Sequence, residues 1–143
     1  MADKDLGEIG ETMRDIDFCM LTTRRSDGGM SARPMSNNRD VDYDGDTFFF
    51  SCADTGKVKE IAADPHVTLA FQGKQGLLGK PGAFIAVEGK AELIRDKTAF
   101  ADHWNKDLER WFEDGVDTPG LTLIKVRADR IHWWDDGEGE IRL

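Results

Sequence analysis

Apolar residues recur at helical spacing in two stretches of this chain. The first stripe consists of Leu6, Ile9, Met13 and Ile16. It predicts an amphipathic helix near the N-terminus. The second stripe, at positions i, i+4, i+8, i+11 and i+12, consists of Phe100, Trp104, Leu108, Trp111 and Phe112. It predicts one helix through all of these residues, whose aromatic face serves either the core or an interface between two copies.

Six apolar or β-branched runs, separated by turn residues, predict strands. They cover residues 18–23, 30–35, 47–52, 67–71, 83–94 and 121–134. Gly89 interrupts the fifth run and predicts a bulge that lets the sheet curl. The stretch 72–82 contains four glycines and a proline, which is typical of a loop.

A short helix is expected between the third and fourth strands. It should begin near Asp54 or Thr55, place Val58 and Ile61 on its apolar face, and end before Pro65. Short connections and half-buried strands favour an antiparallel barrel over a doubly wound sheet, and no strand runs into a glycine-rich phosphate loop and a helix. We therefore predict a single domain over residues 1–143. Its class is α+β, mainly β, with six antiparallel strands in a small barrel and flanking helices.

Composition and charge narrow the range of partners. The 143 residues carry a formal net charge of −9, and this negative field argues against binding to nucleic acid. No apolar run approaches the roughly 20 residues of a membrane-spanning helix, and the polar start lacks the apolar stretch of a secretory signal. We expect a cytoplasmic protein in which Cys19 and Cys52 are reduced core thiols, with a disulfide as the alternative. His66, His103 and His132 show no metal-ligand spacing, so no metal site is expected.

The segment from Ser51 to Lys57 carries the first candidate chemistry. A strand ends here, hydroxyls follow at Ser51 and Thr55, and the short helix is expected to hold Lys57 in its first turn. A cation at a helix N-terminus is unfavourable by about 0.3–1 kcal/mol. A bound phosphate would reverse this effect, because it attracts both the ammonium and the unpaired N–H groups of the first turn. The alternative is that Asp54 or Thr55 caps a surface helix and Lys57 is solvated.

An arginine followed by a proline marks the second predicted strand. Pro34 cannot donate to a strand ladder, so it indicates an edge, a bulge, or a contact with something other than a strand. Arg33 at that point is suited to bind a phosphate through two hydrogen bonds or to stack on a planar ring. The alternative is a surface arginine at a sheet edge.

Five short motifs follow one another in a recognisable order. They are Arg33-Pro34-Met35, Phe49-Phe50-Ser51 through Lys57, Asp64-Pro65-His66-Val67, Gly89-Lys90-Ala91 and Trp134-Asp135. This order resembles the general stress protein 26-like branch of the pyridoxamine 5′-phosphate oxidase-like FMN-binding split-barrel family. The resemblance runs from about Ile16 to Asp135. It implies a split-barrel homodimer that binds FMN, in some relatives FAD, in clefts at the subunit interface.

The resemblance also implies a cofactor-binding set. Its members are Arg33, Pro34, Met35, Ser51, Cys52, Thr55, Lys57, Trp133 and Trp134. Arg33 and Lys57, with the two hydroxyls, match positions that hold the flavin phosphate in the family. The strand around Pro34 and Met35 matches the one beside the isoalloxazine ring, and Trp134, with its neighbour Trp133, matches an aromatic residue close to the flavin. A nearly dianionic phosphate requires cations and neutral donors, and a flat ring requires apolar contact.

Two departures from the family pattern bear on the reaction. Gly56 stands where true pyridoxamine phosphate oxidases carry a second basic residue, and residues 139–143 lack their Arg- and His-containing substrate tail. Vitamin B6 oxidation is therefore not expected, and no general acid or base is evident. We expect a flavin-binding protein of the general stress type. It is either a weak flavin-dependent oxidoreductase with a nicotinamide or other reductant, or a non-catalytic flavin-sensing module; a barrel that binds a deazaflavin or haem is the third alternative.

Overall fold

A computed structural model describes residues 3–37 and 42–143. Met1 and Ala2 of the polar start lie outside the described residues. The helices are α1 (Leu6–Arg14), α2 (Gly56–Ala63) and α3 (Lys97–His103). The strands are β1 (Phe18–Arg24), β2 (Met30–Ser36), β3 (Asp46–Cys52), β4 (His66–Gln72), β5 (Phe84–Ile94), β6 (Leu121–Trp134) and β7 (Glu138–Arg142). Short 3₁₀ helices span Leu77–Gly79, Lys106–Arg110 and Gly115–Asp117.

The strands form one antiparallel sheet in the order β2-β1-β4-β5-β6-β3, and β7 pairs with β6. The 14 residues of β6 pair with β5 along one edge and with β3 and then β7 along the other. Within the described residues the end strands β2 and β3 do not pair with each other. The sheet is thus a split barrel that stays open between these two strands. The predicted fold, with its six strands and flanking helices, is confirmed.

β7 is a strand that the sequence reasoning missed. It follows a three-residue turn in which Asp136 has φ 52° and Gly137 has φ 142°. The Asp-Gly pair after an apolar strand is a hairpin signal that could have revealed it. The strand itself, Glu-Gly-Glu-Ile-Arg, alternates only weakly and is mostly polar. Such a segment looks like a solvated tail until its pairing with β6 is known.

The main core fills the barrel interior. Its fully buried strand residues include Leu21, Leu69, Val87, Ile124, Val126 and Ile131. Helices α1 and α2 pack Ile9, Met13, Val58 and Ile61 against this core. Each such side chain contributes about 1.5–3 kcal/mol when it is fully buried. A second cluster, made of Phe50, Phe100, Leu121 and Leu123, holds α3 and the segment after it beside β3.

The predicted single helix through residues 100–112 is wrong. Helix α3 ends at His103, and Trp104 has extended backbone angles of φ −73° and ψ 139°. Aromatic contacts with β3 explain the break, since His103 stacks on Phe48 with ring centroids 3.7 Å apart and Trp104 meets Phe50 edge-on at 5.0 Å. These contacts require the chain to follow the surface of the sheet, and a straight helix would carry its later residues away from it.

The bulge predicted at Gly89 is confirmed. The pairing of β5 with β6 shifts its register between Glu88 and Gly89. A Cβ atom at Gly89 would lie 2.1 Å from the carbonyl oxygen of Arg127. The close approach of two backbones therefore requires glycine here.

Asn37 ties the end of β2 to the C-terminal end of α1. Its Nδ2 donates hydrogen bonds to the carbonyl oxygens of Met13, at 2.7 Å, and Ile16, at 2.9 Å. We expect Asn37→Ala to lower the free energy of unfolding by about 1–2 kcal/mol, because two hydrogen bonds to backbone carbonyls are lost. Urea unfolding measures this change. Gln75→Ala removes an exposed hydrogen bond from the side-chain amide of Gln75 to the carbonyl oxygen of Gly79. It should change the free energy of unfolding by less than about 0.5 kcal/mol. Equal losses of unfolding free energy in the two variants would contradict the role assigned to Asn37.

None of the helices in the described ranges combines the length and the apolar character that a bilayer crossing requires.

Candidate functional site

A cavity of about 450 Å³ lies at the opening between β2 and β3. Pro34, Met35 and Ser36 of β2 line it on one side, and residues 49–52 of β3 on the other. Thr55 and Lys57 at the start of α2 also line it. The remaining walls are Phe18, Leu108, Trp111 and Phe112. The cavity is therefore mainly apolar along its length, with the Lys57 ammonium and the hydroxyls of Ser51 and Thr55 at the end beside α2. This is the usual composition of a small-molecule site.

The polar end of the cavity is a connected group of side chains. Lys57 Nζ donates a hydrogen bond to Ser51 Oγ at 3.0 Å, and Ser51 Oγ lies 3.3 Å from Thr55 Oγ1. Thr55 is the N-cap residue of α2, but its hydroxyl donates to the carbonyl oxygen of Cys52 at 2.8 Å and does not cap the helix. The first-turn N–H groups of α2 thus receive no side-chain cap, which leaves them available to an anion.

Lys57 is half-buried beside another cation. Burial, and secondly the positive charge of Arg33, lower the pKa of Lys57 below its ordinary value. Among the described residues no carboxylate lies within 4.0 Å of Lys57 Nζ. An anion bound here would offset both effects, because it would stabilise the charged ammonium.

Arg33 is held beside the cavity and is not among the residues that line it. Its guanidinium donates to the carbonyl oxygen of Leu21 at 3.2 Å, to Thr23 Oγ1 at 2.7 Å and to Glu60 Oε1 at 3.0 Å. The ion pair with Glu60 joins β2 to α2, so Arg33 is neither a solvated surface residue nor directed freely into the cavity. The positive charge of Arg33 nevertheless acts on Lys57, since it contributes to lowering the pKa of Lys57.

The two tryptophans of the predicted set do not line this cavity. Trp133 is buried in the main core, with Lys4 Nζ 5.4 Å from its ring centroid. Trp134 is exposed and stacks on His132 with ring centroids 4.1 Å apart. Within one chain the structure therefore brings Pro34, Met35 and the segment Ser51–Lys57 together, and leaves the tryptophan pair elsewhere.

Sequence reasoning missed most of the apolar walls. Phe49 and Phe50 belong to the motif that runs from Phe49 through Lys57, but they were not predicted to be cofactor-binding residues. Leu108, Trp111 and Phe112 belong to the aromatic stripe, which was predicted to serve the core or an interface. Leu108 and Phe112 do pack on the second core cluster, whereas Trp111 is 60% exposed at the mouth of the cavity.

A second cavity of about 430 Å³ adjoins the first at the end away from Lys57. The two share walls, including Phe18, Ser36 and Trp111. The second cavity adds polar and charged side chains, namely Asp17, Asn37, Asn105, Asp107 and Arg110. An elongated ligand that fills the first cavity would thus have a polar space beside the end that lies away from Lys57.

The cysteines and histidines do not form a site with this group. Cys19 is buried and Cys52 half-buried, and both are free thiols. His66 lies beside Asp64, with Nδ1 2.8 Å from Oδ1. Within the ranges 3–37 and 42–143, no three His, Cys, Asp or Glu side chains gather as a metal site.

The family model for proteins described as pyridoxamine 5′-phosphate oxidase like matches residues 4–143. This chain belongs to that family. Among curated proteins, protein bli-3 of Neurospora crassa is 25% identical over 140 residues, which is 92% of this chain. The chain spans 65% of the length of that relative.

Several solved structures share the fold of this chain. General stress protein 26 from Bacillus anthracis matches with a TM-score of 0.74 and 24% identity, over 94% of this chain and 98% of that one. A protein related to general stress protein 26, from Clostridium acetobutylicum, matches with a TM-score of 0.83 and 17% identity, over 100% and 97%. The general stress FMN/FAD binding protein of Xanthomonas citri matches with a TM-score of 0.76 and 23% identity, over 94% and 90%.

Proposed function

We propose that this pyridoxamine phosphate oxidase-like protein binds a flavin, FMN or FAD, in the cavity between β2 and β3, as a protein of the general stress type. The observation that carries the proposal is Lys57, a half-buried cation with no carboxylate partner among the described residues, at the end of an apolar cavity. The hydroxyls of Ser51 and Thr55 beside it supply neutral donors. The FMN/FAD binding relative from Xanthomonas citri has the same fold and supports the same reading.

The residues present fit the parts of a flavin. Lys57, Ser51, Thr55 and the first turn of α2 would hold the phosphate, with Arg33 adding positive charge from beside the cavity. Pro34, Met35 and the aromatic walls would contact the isoalloxazine ring. Cys52 also lines the cavity. A bound flavin supplies hydride and single-electron transfer, and this chain contributes binding, orientation and electrostatics.

A homodimer completes the proposed site. Exposed aromatic side chains surround the open side of the barrel and the end of the β5–β6 ladder: Phe18, Phe84, Trp111 and Trp134. Exposed apolar surface of this kind is typical of an interface. We infer that a second copy covers the open split and brings its own Trp134 near the flavin, which accounts for the position of Trp134 outside the cavity of its own chain.

The adjoining cavity favours a weak oxidoreductase over a module without turnover. Its amides, carboxylates and Arg110 lie at the end away from Lys57, where a reductant such as a nicotinamide would meet the exposed end of the ring. Vitamin B6 oxidation is not proposed, because Gly56 stands where the oxidases carry a second basic residue and residues 139–143 lack their Arg- and His-containing pattern.

One absorbance spectrum of the purified protein, followed by fluorescence titration with FMN and FAD, tests the proposal. We expect flavin absorption or quenching of added flavin fluorescence. A colourless protein that leaves the fluorescence of both flavins unchanged would contradict it. A deazaflavin or haem spectrum would show that the ligand is one of these alternatives and not a flavin. Tight flavin binding without NADH or NADPH oxidation would favour the non-catalytic sensing module.

Cysteine labelling gives an independent test of the location. Cys52 lines the cavity, whereas burial raises the pKa of Cys19 to about 12. We therefore expect iodoacetamide to label Cys52 in the folded protein and Cys19 only after unfolding, because the thiolate is the reacting form. Saturating FMN should slow the labelling of Cys52 by about tenfold through steric protection. Equal labelling rates with and without bound FMN, read by mass spectrometry, would locate the flavin elsewhere.

A further inference from the structure

Trp134, which the proposed function places near the flavin of a second copy, stacks on His132 within its own chain. We propose that His132 is a positioning residue, whose ring holds the indole of Trp134 in the orientation that meets the flavin of the second copy. The inference rests on the proposed flavin site and its dimer, and it assigns a residue that the comparison of motifs did not include.

Three contacts fix the ring of His132. It lies against the indole of Trp134 with ring centroids 4.1 Å apart and an interplanar angle of 9°. Its Nε2 lies 2.5 Å from Glu138 Oε2, and its Nδ1 lies 3.3 Å from Arg130 Nη2. A guanidinium only donates, so Nδ1 accepts and Nε2 carries the hydrogen that is donated to the carboxylate. Hydrogen bonds at both ring nitrogens hold the imidazole against rotation, and the imidazole covers one face of the indole.

The hydrogen-bond partners of His132 are themselves held by neighbouring strands. Arg130 forms ion pairs with Glu88 on β5 and with Glu140 on β7, the latter at 2.7 Å. Glu138 lies on β7 directly opposite Trp134. The side chain of His132 is only 21% exposed, whereas Trp134 is 40% exposed. The network thus fixes the imidazole and leaves the rest of the indole open to a ligand.

The place of Trp134 in the sheet suits a contact with a second copy. Phe18, which lines the cavity, and Trp134 lie at the same end of the adjacent strands β1, β4, β5 and β6. The outer two of these strands are about 14 Å apart. A twofold axis that runs along the strands between β4 and β5 exchanges β1 with β6, so it would bring Trp134 of each copy to Phe18 of the other. The residues beside that axis on the outer face are Ala70 and Ala86, which are small enough to let two sheets approach.

Titration of the whole chain with FMN, combined with the emission of the bound flavin, tests the inference. Trp134→Ala should weaken FMN binding about tenfold and His132→Ala about fivefold. Both variants should also lose the quenching of flavin emission that a contacting indole causes. Because His132 acts through Trp134, His132→Ala should cause no further change when Trp134 is already alanine. His132→Phe keeps a flat ring against the indole and should bind FMN within about twofold of the wild type.

His66→Ala is the matched control. His66 also lies beside a carboxylate, Asp64, but it is the first residue of β4, at the end of the strand away from Trp134. Its removal should change neither the affinity for FMN nor the emission. Sedimentation sets a protein concentration at which all variants share the oligomeric state of the wild type, so that a weakened dimer is not mistaken for a misplaced indole.

The outcomes separate this inference from the proposed function. Unchanged affinity and emission in His132→Ala would overturn it, as would equal losses with and without Trp134. A folded His132→Phe that binds FMN as weakly as His132→Ala would also overturn it. A wild type that binds FMN as a monomer, or a Trp134→Ala variant with wild-type affinity, would overturn it while flavin binding stood. Absence of FMN binding to the wild type would overturn both.

Discussion

Alanine at Lys57 should weaken FMN binding about 30-fold and leave the free energy of unfolding nearly unchanged. A hydrogen bond to a charged group contributes about 1.5–3 kcal/mol, which corresponds to roughly 10- to 150-fold in affinity. The folded protein loses little without the side chain, because Ser51 Oγ keeps Thr55 as a neighbour and, among the residues that the structure describes, no carboxylate within salt-bridge distance loses a partner. Fluorescence titration with FMN and urea unfolding measure the two quantities.

Lys59→Ala is the matched control for Lys57→Ala. Lys59 is an exposed lysine on the same helix, two residues further along, and its removal should change FMN affinity by less than about twofold. Arg33→Ala should weaken binding as well, although it also removes the hydrogen bonds that Arg33 donates to Glu60 and Thr23. If neither Lys57→Ala nor Arg33→Ala changed the affinity for FMN, the proposal that these residues hold the flavin phosphate would be contradicted.

Gly89→Ala should lower the free energy of unfolding by about 3 kcal/mol or more. The added methyl group would lie 2.1 Å from the carbonyl oxygen of Arg127 and 3.2 Å from Cα of Ala128. These are backbone atoms of β6, so no side-chain rotation can relieve the contact. Overpacking typically costs about 1–3 kcal/mol when neighbours can shift, and the cost is higher where they cannot. Urea unfolding of the variant, followed by circular dichroism, measures the loss.

Gly56→Ala provides the contrast at a glycine with free space around it. The added methyl group meets no atom within 4 Å, and the residue lies in the first turn of α2. We expect stability to stay the same or to rise by about 0.5–1 kcal/mol, because alanine loses less backbone entropy than glycine in a helix. A Gly89→Ala variant as stable as Gly56→Ala would show that the bulge tolerates a side chain.

Six of the seven strands in the described residues were predictable, because each of the six combines an apolar run with turn residues at its ends. The run between the turn at residues 115–120 and the acidic pair Asp135-Asp136 gave β6 its full span from Leu121 to Trp134. The cluster of Ser51, Thr55 and Lys57 was also predictable, since a strand end followed directly by a helix start places the three side chains within a few residues of one another. The hydrogen bonds among them follow from that local geometry.

The errors concern contacts between distant parts of the chain. The apolar residues from Phe100 to Phe112 do recur at helical spacing, but the helix ends early because this segment packs on aromatic residues of β3. Those residues lie about 50 positions earlier in the sequence, so the local pattern does not reveal the contact. The ion pair of Arg33 with Glu60 joins a strand to a helix 27 residues later, so nothing local indicates it. β7 depends on pairing with β6, and its own five residues are too polar to indicate a strand.

The opening between β2 and β3 also affects the tendency of the chain to aggregate at high concentration. Each of these strands has one edge that pairs with no other strand in the described part of the chain, and free edges can template the addition of strands from other molecules. Pro34 lies within one of these edges and interrupts its row of N–H donors. We therefore expect Pro34, which also lines the cavity, to hinder the addition of strands at this edge. A chain with an ordinary residue at that position would present an uninterrupted edge on which fibrils could nucleate.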